Sequence, residues 1–141
     1  MARASTRLAQ QVAVRAGHQC EYCCTPRSIT AQTFHTDHII PIARGGKTVL
    51  SNLCYACPNC NLHKQDRVEA IDPRTNRSTR LFNPRTDRWE EHFRWGVHCE
   101  RLIGRTAIGR ATIAALGLND EDLMRARVMW VRLGLISAST P

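Results

Sequence analysis

Two Cys-x-x-Cys pairs restrict the fold of this chain more than any other feature of its sequence. Cys20 and Cys23 form the first pair, while Cys54, Cys57 and Cys60 offer two overlapping choices for the second. We prefer Cys57 and Cys60, because the Pro-Asn insert between them favours a turn that lets two thiolates converge on one ion. Four such thiolates predict a structural zinc ion with no open position for water.

The cysteine count also argues against a disulfide framework. The chain has seven cysteines, an odd number that cannot be fully paired within one molecule. In a reducing compartment, paired Cys-x-x-Cys spacings indicate zinc more often than disulfides. Cys54 lies in a segment that looks apolar and locally helical, so we expect a small buried residue there. A thiol redox or metal-storage protein is an alternative, in which the paired cysteines would cycle or exchange metal readily.

The net charge of the chain is +8, with 18 arginines and only two lysines. This density of positive charge favours a polyanionic partner such as nucleic acid. Genome composition and a solvated surface explain any single arginine equally well, so only the aggregate supports this partner. No apolar run approaches the length of a membrane span, and residues 1–17 carry charges where a signal peptide would be apolar. The sequence therefore predicts a soluble, cytoplasmic protein.

The segment 24–56, which separates the two cysteine pairs, is longer than the insert of an ordinary zinc ribbon. It holds His38 beside Asp37 and an amide at Asn52, and a second amide follows at Asn61. An imidazole beside a carboxylate can activate water or hold a metal, and an amide oxygen suits a hard cation. The expected substrate of this combination is a phosphodiester. The zinc would then clamp a catalytic hairpin and would not be the reactive metal.

Local patterns predict a strand-strand-helix unit around these residues, preceded by a helix. Ser5 or Thr6 can cap the preceding helix, and Gly17 can end it. β-prone residues, a Gly-Gly turn and an Asp-Pro stop predict the rest of the unit. The predicted elements are a strand at 31–36, a turn at 45–46, a second short strand near 48–49 and a helix from 61 to 71.

The C-terminal part combines a basic segment with a predicted hairpin and two helices. Residues 72–88 carry five arginines against two aspartates and indicate a basic arm, whose apolar Leu81-Phe82 pair would dock on the domain. Alternation at 93–97 predicts a strand that pairs with residues 101–103. Thr106 and Asn119 can cap the two helices. Whether these helices cover the hairpin or form a homodimer is left open.

The residues between Cys20 and about Asp66 resemble the HNH nucleases. FHTDHIIPIARGG resembles the segment with the first His, SNL the segment with the middle Asn, and ACPNCNLHK the final metal-binding segment. Because Asn61 stands where a third His gives the family its last letter, the chain resembles the HNN variant. The resemblance implies an α+β fold: a ββα-metal unit clamped by a structural zinc, with flanking N- and C-terminal helices. We expect a single domain over 1–141, with the nuclease core at 18–72 and an extension at 73–141.

Carried over to this sequence, the resemblance implies a role for each candidate residue. His38 would be the general base that takes a proton from the attacking water. Asp37 and Asn61 would hold one Mg²⁺ or another divalent cation. Asn52 would tie the loop and orient His38 through backbone hydrogen bonds. The enzyme would be a metal-dependent endonuclease that leaves 5′-phosphate and 3′-hydroxyl ends.

Three further residues are candidates for contact with double-stranded DNA. Arg44 in the Gly-Gly turn and Lys64 in the first turn of the predicted helix could reach backbone phosphates, although an ordinary exposed charge explains each equally well. His35 shares a strand face with Asp37 and could touch the scissile phosphate, but a solvated His fits equally well. The alternative function is a zinc-stabilised nucleic-acid-binding module without catalytic activity.

Overall fold

Short helices and small antiparallel sheets make up residues 4–137, the part of the chain that our computed structural model describes. The helices are α1 (Thr6–Arg15), α2 (Pro58–Lys64), α3 (Trp89–His92), α4 (Ala107–Leu116) and α5 (Glu121–Arg132). Three two-stranded sheets are formed by β1 (His35–His38) with β2 (Leu53–Ala56), β3 (Glu69–Ile71) with β4 (Ser78–Arg80), and β5 (Phe93–Trp95) with β6 (Leu102–Gly104). This mixture agrees with the predicted α+β class.

These residues group into two compact units. Unit 1 comprises residues 4–68 and 83–87, and unit 2 comprises residues 69–82 and 88–137. The single domain with a core at 18–72 stays a prediction. Residues 1–3, which begin the charged N-terminal segment, and residues 138–141 lie outside the described part of the chain. Between residues 4 and 137, no helix is both long enough and apolar enough to cross a membrane.

Helix α1 of unit 1 begins after Ser5, as predicted. The Ser5 side-chain oxygen accepts a hydrogen bond from the backbone N–H of Leu8 at 3.2 Å, which satisfies a donor of the first turn. Val12 is fully buried in the core of the unit. In the last turn, the Arg15 guanidinium donates to the carbonyl of Leu50 at 2.9 Å. The helix is thereby tied to the segment that leads into β2.

Strands β1 and β2 form an antiparallel pair in which His35 lies opposite Ala56 and His38 lies opposite Leu53. All four β2 residues are buried. The second strand predicted near 48–49 is wrong, because Val49 is 43% exposed and lies in the loop at 39–52. β-branched residues favour a strand where their side chains pack against the protein core. Such burial is found at Leu53–Ala56. The first strand likewise starts later than predicted.

Helix α2 is shorter and earlier than predicted. It begins at Pro58, since Cys57 caps the first turn and proline fits the first helical position. It ends at Lys64, followed by Gln65 with φ +51°. The predicted continuation to residue 71 is wrong, because Glu69–Ile71 is strand β3. The order strand, strand, helix is nevertheless present in unit 1.

Unit 2 contains the remaining elements, and most of its predicted features are present. Strands β5 and β6 pair as expected, and Thr106 caps α4 by accepting a hydrogen bond from the Gly109 N–H at 3.1 Å. Leu81 and Phe82 are buried. The predicted cap at Asn119 is wrong, because α5 follows Asp120 and the Asn119 amide makes two 2.8 Å hydrogen bonds to the backbone of Leu102.

A buried carboxylate, Asp72, connects the β3–β4 turn to helix α4 in unit 2. The Arg110 guanidinium donates from Nε and Nη2 to the two carboxylate oxygens, each at 2.9 Å. The Arg74 N–H and the Thr75 hydroxyl also donate to Asp72. The hydrogen bonds from Arg110 hold the pKa of Asp72 well below its usual range.

Lowering the pH should remove the contribution of Asp72 to the stability of unit 2. Because the folded pKa lies below the unfolded value of about 3.9, the stabilisation is complete above that pH and declines as the pH falls towards the folded pKa. We expect Asp72→Asn to lower the unfolding midpoint at pH 7 by several degrees, and the difference from wild type to be smaller at pH 3. Tryptophan fluorescence measures this directly, since Trp89, Trp95 and Trp130 all lie in unit 2.

A matched control is Asp122→Asn, because the Asp122 carboxylate is 97% exposed in α5. Exposed ion pairs contribute little to stability. We expect this variant to melt like wild type at both pH values. If Asp72→Asn lowered the unfolding midpoint by the same amount at pH 7 and at pH 3, the conclusion that folding lowers the pKa of Asp72 would be contradicted.

Candidate functional site

The four predicted zinc ligands lie together in unit 1. The sulfur atoms of Cys20, Cys23, Cys57 and Cys60 are all within 4.8 Å of one another, and all four residues are buried. The sulfur atoms of Cys23 and Cys57 are 3.7 Å apart, and no disulfide joins these cysteines. Cys54 is buried elsewhere as a small core residue, but the locally helical segment expected there is wrong, because Cys54 lies in strand β2. The structure thus brings together the pairing that we preferred from sequence.

Backbone hydrogen bonds explain why the two cysteine pairs meet. The N–H of Glu21, between the first two cysteines, donates to the Tyr55 carbonyl at 2.9 Å, and the Tyr55 N–H donates back to the Glu21 carboxylate at 2.8 Å. Only Ala56, the last residue of β2, lies between Tyr55 and Cys57 in the chain. Glu21 is also ion-paired with Arg85. The first cysteine pair is therefore fixed to the strand that leads into the second.

Cys57 has a second role at the start of helix α2. Its sulfur accepts a hydrogen bond from the Cys60 N–H at 3.4 Å, in the position that a Ser or Asp side chain usually occupies. Hydrogen bonds from the other sulfurs, first that of Cys20, lower the pKa of Cys23, whereas burial raises the pKa of Cys20. Four buried sulfurs close to one another are the donor set that zinc prefers, and binding would deprotonate them.

Asp37 lies in β1 with only 11% of its side chain exposed. Its Oδ2 atom is 3.1 Å from the Lys64 ammonium and also accepts a weak hydrogen bond from the Cys54 thiol at 3.9 Å. Burial raises the pKa of Asp37, and the charge of Lys64 opposes that shift. Burial, followed by the charge of Asp37, raises the pKa of Cys54 to about 12, so this thiol stays protonated as a donor.

Two side chains, on β1 and on α2, carry oxygen atoms of the kind that a hard cation binds. Both contacts to Asp37 use Oδ2, and within residues 4–137 the structure gives Oδ1 no partner. In the same part of the chain, the side-chain amide of Asn61, half-buried on α2, makes no hydrogen bond. A carboxylate oxygen and an amide oxygen suit Mg²⁺ or a similar ion. These donor types are therefore compatible with the predicted divalent cation.

His38 is half-buried at the end of β1, and its Nε2 atom lies 2.8 Å from the Thr48 hydroxyl. If Nε2 carries the proton in this hydrogen bond, Nδ1 is the basic nitrogen. Sequence reasoning missed Thr48 as a functional residue and assigned it to a strand. Nothing in a single sequence indicates that a hydroxyl ten residues further on would meet this imidazole.

Asn52 ties the loop between the two strands. Its side chain accepts a hydrogen bond from the Ile40 N–H and donates to the carbonyls of Ile40 and Lys47, each at 2.9 Å. Gly46 is required in this loop, because a Cβ there would lie 1.7 Å from the Ile40 carbonyl oxygen. The loop that carries Thr48 is held by these contacts beside the end of β1.

The other predicted contact residues differ in their exposure. Arg44 and His35 are exposed, as a contact with a phosphate requires. Lys64 lies in the last turn of α2, and only 2% of its side chain is exposed. The expectation that it sits in the first turn of a helix is wrong, because α2 begins at Pro58. Its ammonium contacts protein groups in this structure.

Residues 20–67 match the model of the HNH endonuclease family. The resemblance seen from Cys20 to about Asp66 is thereby confirmed for this stretch, which we call the HNH segment. It includes both cysteine pairs, strands β1 and β2, and helix α2. A comparison with curated proteins and a comparison with solved structures each found no match.

Removal of one thiol from the HNH segment should abolish tight zinc binding. We expect purified wild-type protein to hold about one zinc per chain and Cys23→Ser to hold little, because a hydroxyl is a poor replacement for a thiolate ligand. Unit 1 should unfold in the variant, since the binding free energy of a structural zinc is also folding free energy. Elemental analysis measures the metal, and near-ultraviolet circular dichroism of Tyr22 and Tyr55 measures the fold of unit 1.

The neighbouring Cys24 provides the control, because its sulfur is not part of the four-cysteine cluster. Cys24→Ser should retain zinc and the tyrosine signal. Stoichiometric zinc in Cys23→Ser, or loss of zinc in both variants alike, would count against the proposed ligand set.

Proposed function

We propose that this chain is a metal-dependent endonuclease that hydrolyses phosphodiester bonds in DNA. The match of residues 20–67 to the HNH endonuclease family carries the proposal. The local geometry supports it, because a strand-strand-helix unit holds the Asp37-His38 pair in β1 and Asn61 in α2. These residue types provide a base and two hard ligands, which phosphodiester hydrolysis needs.

His38 is the general base in this proposal. In the proposed tautomer, the Nε2–H group donates a hydrogen bond to the Thr48 hydroxyl, which fixes the orientation of the ring and leaves Nδ1 to take a proton from water. Asn52 acts through the loop, since its three hydrogen bonds hold the backbone of Ile40 and of Lys47, the residue before Thr48. Both residues are positioning groups for the imidazole.

Asp37 and Asn61 are the proposed ligands of a catalytic Mg²⁺ or another divalent cation. When bound, such an ion supplies positive charge that stabilises the phosphoryl transition state and the leaving oxygen. Cys20, Cys23, Cys57 and Cys60 hold a separate zinc ion in the proposal. With four protein ligands, that zinc stabilises the fold and takes no part in the reaction.

Double-stranded DNA is the proposed substrate. The net charge of +8 favours a polyanion, and the exposed side chains of Arg44 and His35 belong to the same unit as the proposed base. Such contacts to phosphates position the duplex without reading its sequence. Zinc-stabilised nucleic-acid binding without catalysis is the competing function, and the two differ in whether His38 is needed for a chemical step.

Replacement of the base should separate cleavage from binding. We expect His38→Ala to lower Mg²⁺-dependent nicking of a supercoiled plasmid by roughly 10²-fold to 10⁴-fold, the usual contribution of a general base. Affinity for a DNA duplex, measured by fluorescence anisotropy without Mg²⁺, should stay within about twofold of wild type, because the imidazole contributes little to the charge that binds phosphates. His98→Ala in unit 2 is the control, since His98 is an exposed histidine.

Two results would contradict the nuclease. Wild-type protein that binds the duplex but cleaves nothing with Mg²⁺ or Mn²⁺ would favour the binding module. Equal cleavage by His38→Ala and wild type would remove His38 from the mechanism.

The Thr48 hydroxyl should affect the chemical step alone. We expect Thr48→Val to lower kcat by about 10-fold to 100-fold, in the range seen when the partner of a functional side chain is removed. The KM for DNA should not change, because the half-buried Thr48 hydroxyl is engaged with His38. Steady-state nicking kinetics measure both values. Ser51→Ala, an exposed hydroxyl in the same loop, should behave like wild type, and a similar loss there would argue against a specific role for Thr48.

A further inference from the structure

Lys64 is among the most deeply buried side chains of the described residues, with 2% of it exposed. A lysine is rarely buried unless its charge is paired, because desolvation of an ammonium is costly. Here the ammonium has two partners on strand β1: the Asp37 carboxylate at 3.1 Å and the backbone carbonyl of His38 at 3.0 Å. One side chain therefore contacts both members of the Asp-His pair.

The position of Lys64 on α2 links that pair to the third proposed site residue. Asn61 precedes Lys64 by three positions, so the two side chains are neighbours on the helix surface. Because Lys64 points at Asp37, it holds the Asn61 side of the helix towards β1. The spacing between the proposed metal ligands then depends on one buried ion pair.

The details of the ion pair fit a positioning role. Lys64 contacts Oδ2 of Asp37 and leaves Oδ1 available. The Cys54 thiol adds a second contact to the same Oδ2. A carboxylate held through one oxygen presents the other in a fixed direction. The bond to the His38 carbonyl fixes the backbone from which the imidazole extends.

We propose that Lys64 is a positioning residue that fixes Asp37 and His38 relative to Asn61, and that it does not contact DNA phosphate. This inference rests on the proposed nuclease function. Loss of the ammonium should weaken both the chemical step and divalent-ion binding. Affinity for DNA should be unaffected, because the charge is not exposed to a polyanion.

The test is Lys64→Met, which keeps the length of the side chain and removes its charge. We expect kcat for plasmid nicking to fall by about 10-fold to 100-fold, in the range for supporting residues of metal sites. Isothermal titration of Mn²⁺ into zinc-loaded protein should show an affinity at least about tenfold weaker. The KM for DNA and the salt dependence of duplex binding should match wild type.

Lys47→Met is the matched control, because Lys47 is the other lysine of the chain and its side chain is exposed. It removes the same charge from the same unit. Its kcat and Mn²⁺ affinity should equal those of wild type. The control separates the loss of a buried ion pair from a general loss of positive charge.

A second variant, Lys64→Arg, covers the case in which Lys64→Met does not fold, as judged by zinc content and tyrosine circular dichroism. A guanidinium keeps the charge but cannot place it as a compact ammonium does. A positioning role predicts partial activity, clearly above Lys64→Met where that variant folds and below wild type. A phosphate contact predicts full activity, since arginine also binds phosphate.

The outcomes are distinct. A raised KM and a salt slope reduced by about one, with kcat unchanged, would identify a phosphate contact and overturn the inference. Unchanged kcat and Mn²⁺ affinity in Lys64→Met would overturn it as well. If wild type shows no divalent-dependent cleavage, the proposed function fails. Mn²⁺ binding that is lost in Lys64→Met would still support the positioning role in that case.

Discussion

The junction between the first cysteine pair and strand β2 supports the rest of unit 1. Reciprocal hydrogen bonds between Glu21 and Tyr55 fix the segment with Cys20 and Cys23 against the strand that leads to Cys57. The strand and helix α2 then continue from that fixed point. A small unit buries only a limited hydrophobic core. This junction adds stability through a few directional hydrogen bonds. Strand β1, which carries Asp37 and His38, pairs with that strand, and Asn61 lies on the helix that follows it.

A stability cost accompanies this arrangement. Burial of Lys64 and Asp37 removes two charges from water, and an apolar pair of similar shape often stabilises a protein as well or better. Asp72 and Arg110 in unit 2 form the opposite case, because the bidentate geometry and the two further donors satisfy the carboxylate fully. The carboxylate with one oxygen left open lies where chemistry is proposed, and the fully satisfied carboxylate joins a turn to helix α4. This difference is expected of a functional site.

The sequence predicted those features that depend on local chemistry. Spacing and a proline identified the ligand pairs, and capping residues located the starts of α1 and α4 at Ser5 and Thr106. Features that depend on packing between residues distant in the chain were missed. Thr48 and Val49 have β propensity, yet the strand lies at Leu53–Ala56, where the core covers it. Lys64 was expected to be an exposed charge that could reach DNA phosphates, although its side chain is buried against β1. A short stretch of sequence does not show which of its residues the folded core will bury.

The sulfur of Cys57 belongs to the four-cysteine cluster and also caps the helix that carries Asn61 and Lys64. If both proposed ions bind, occupancy of the four-sulfur cluster and the shape of the proposed oxygen site would be linked, and thermodynamic linkage makes such coupling reciprocal. A zinc ion bound there would act directly on the start of the helix that carries the proposed ligand Asn61. An ion with no part in the proposed reaction would in this way still influence the site where that reaction is proposed.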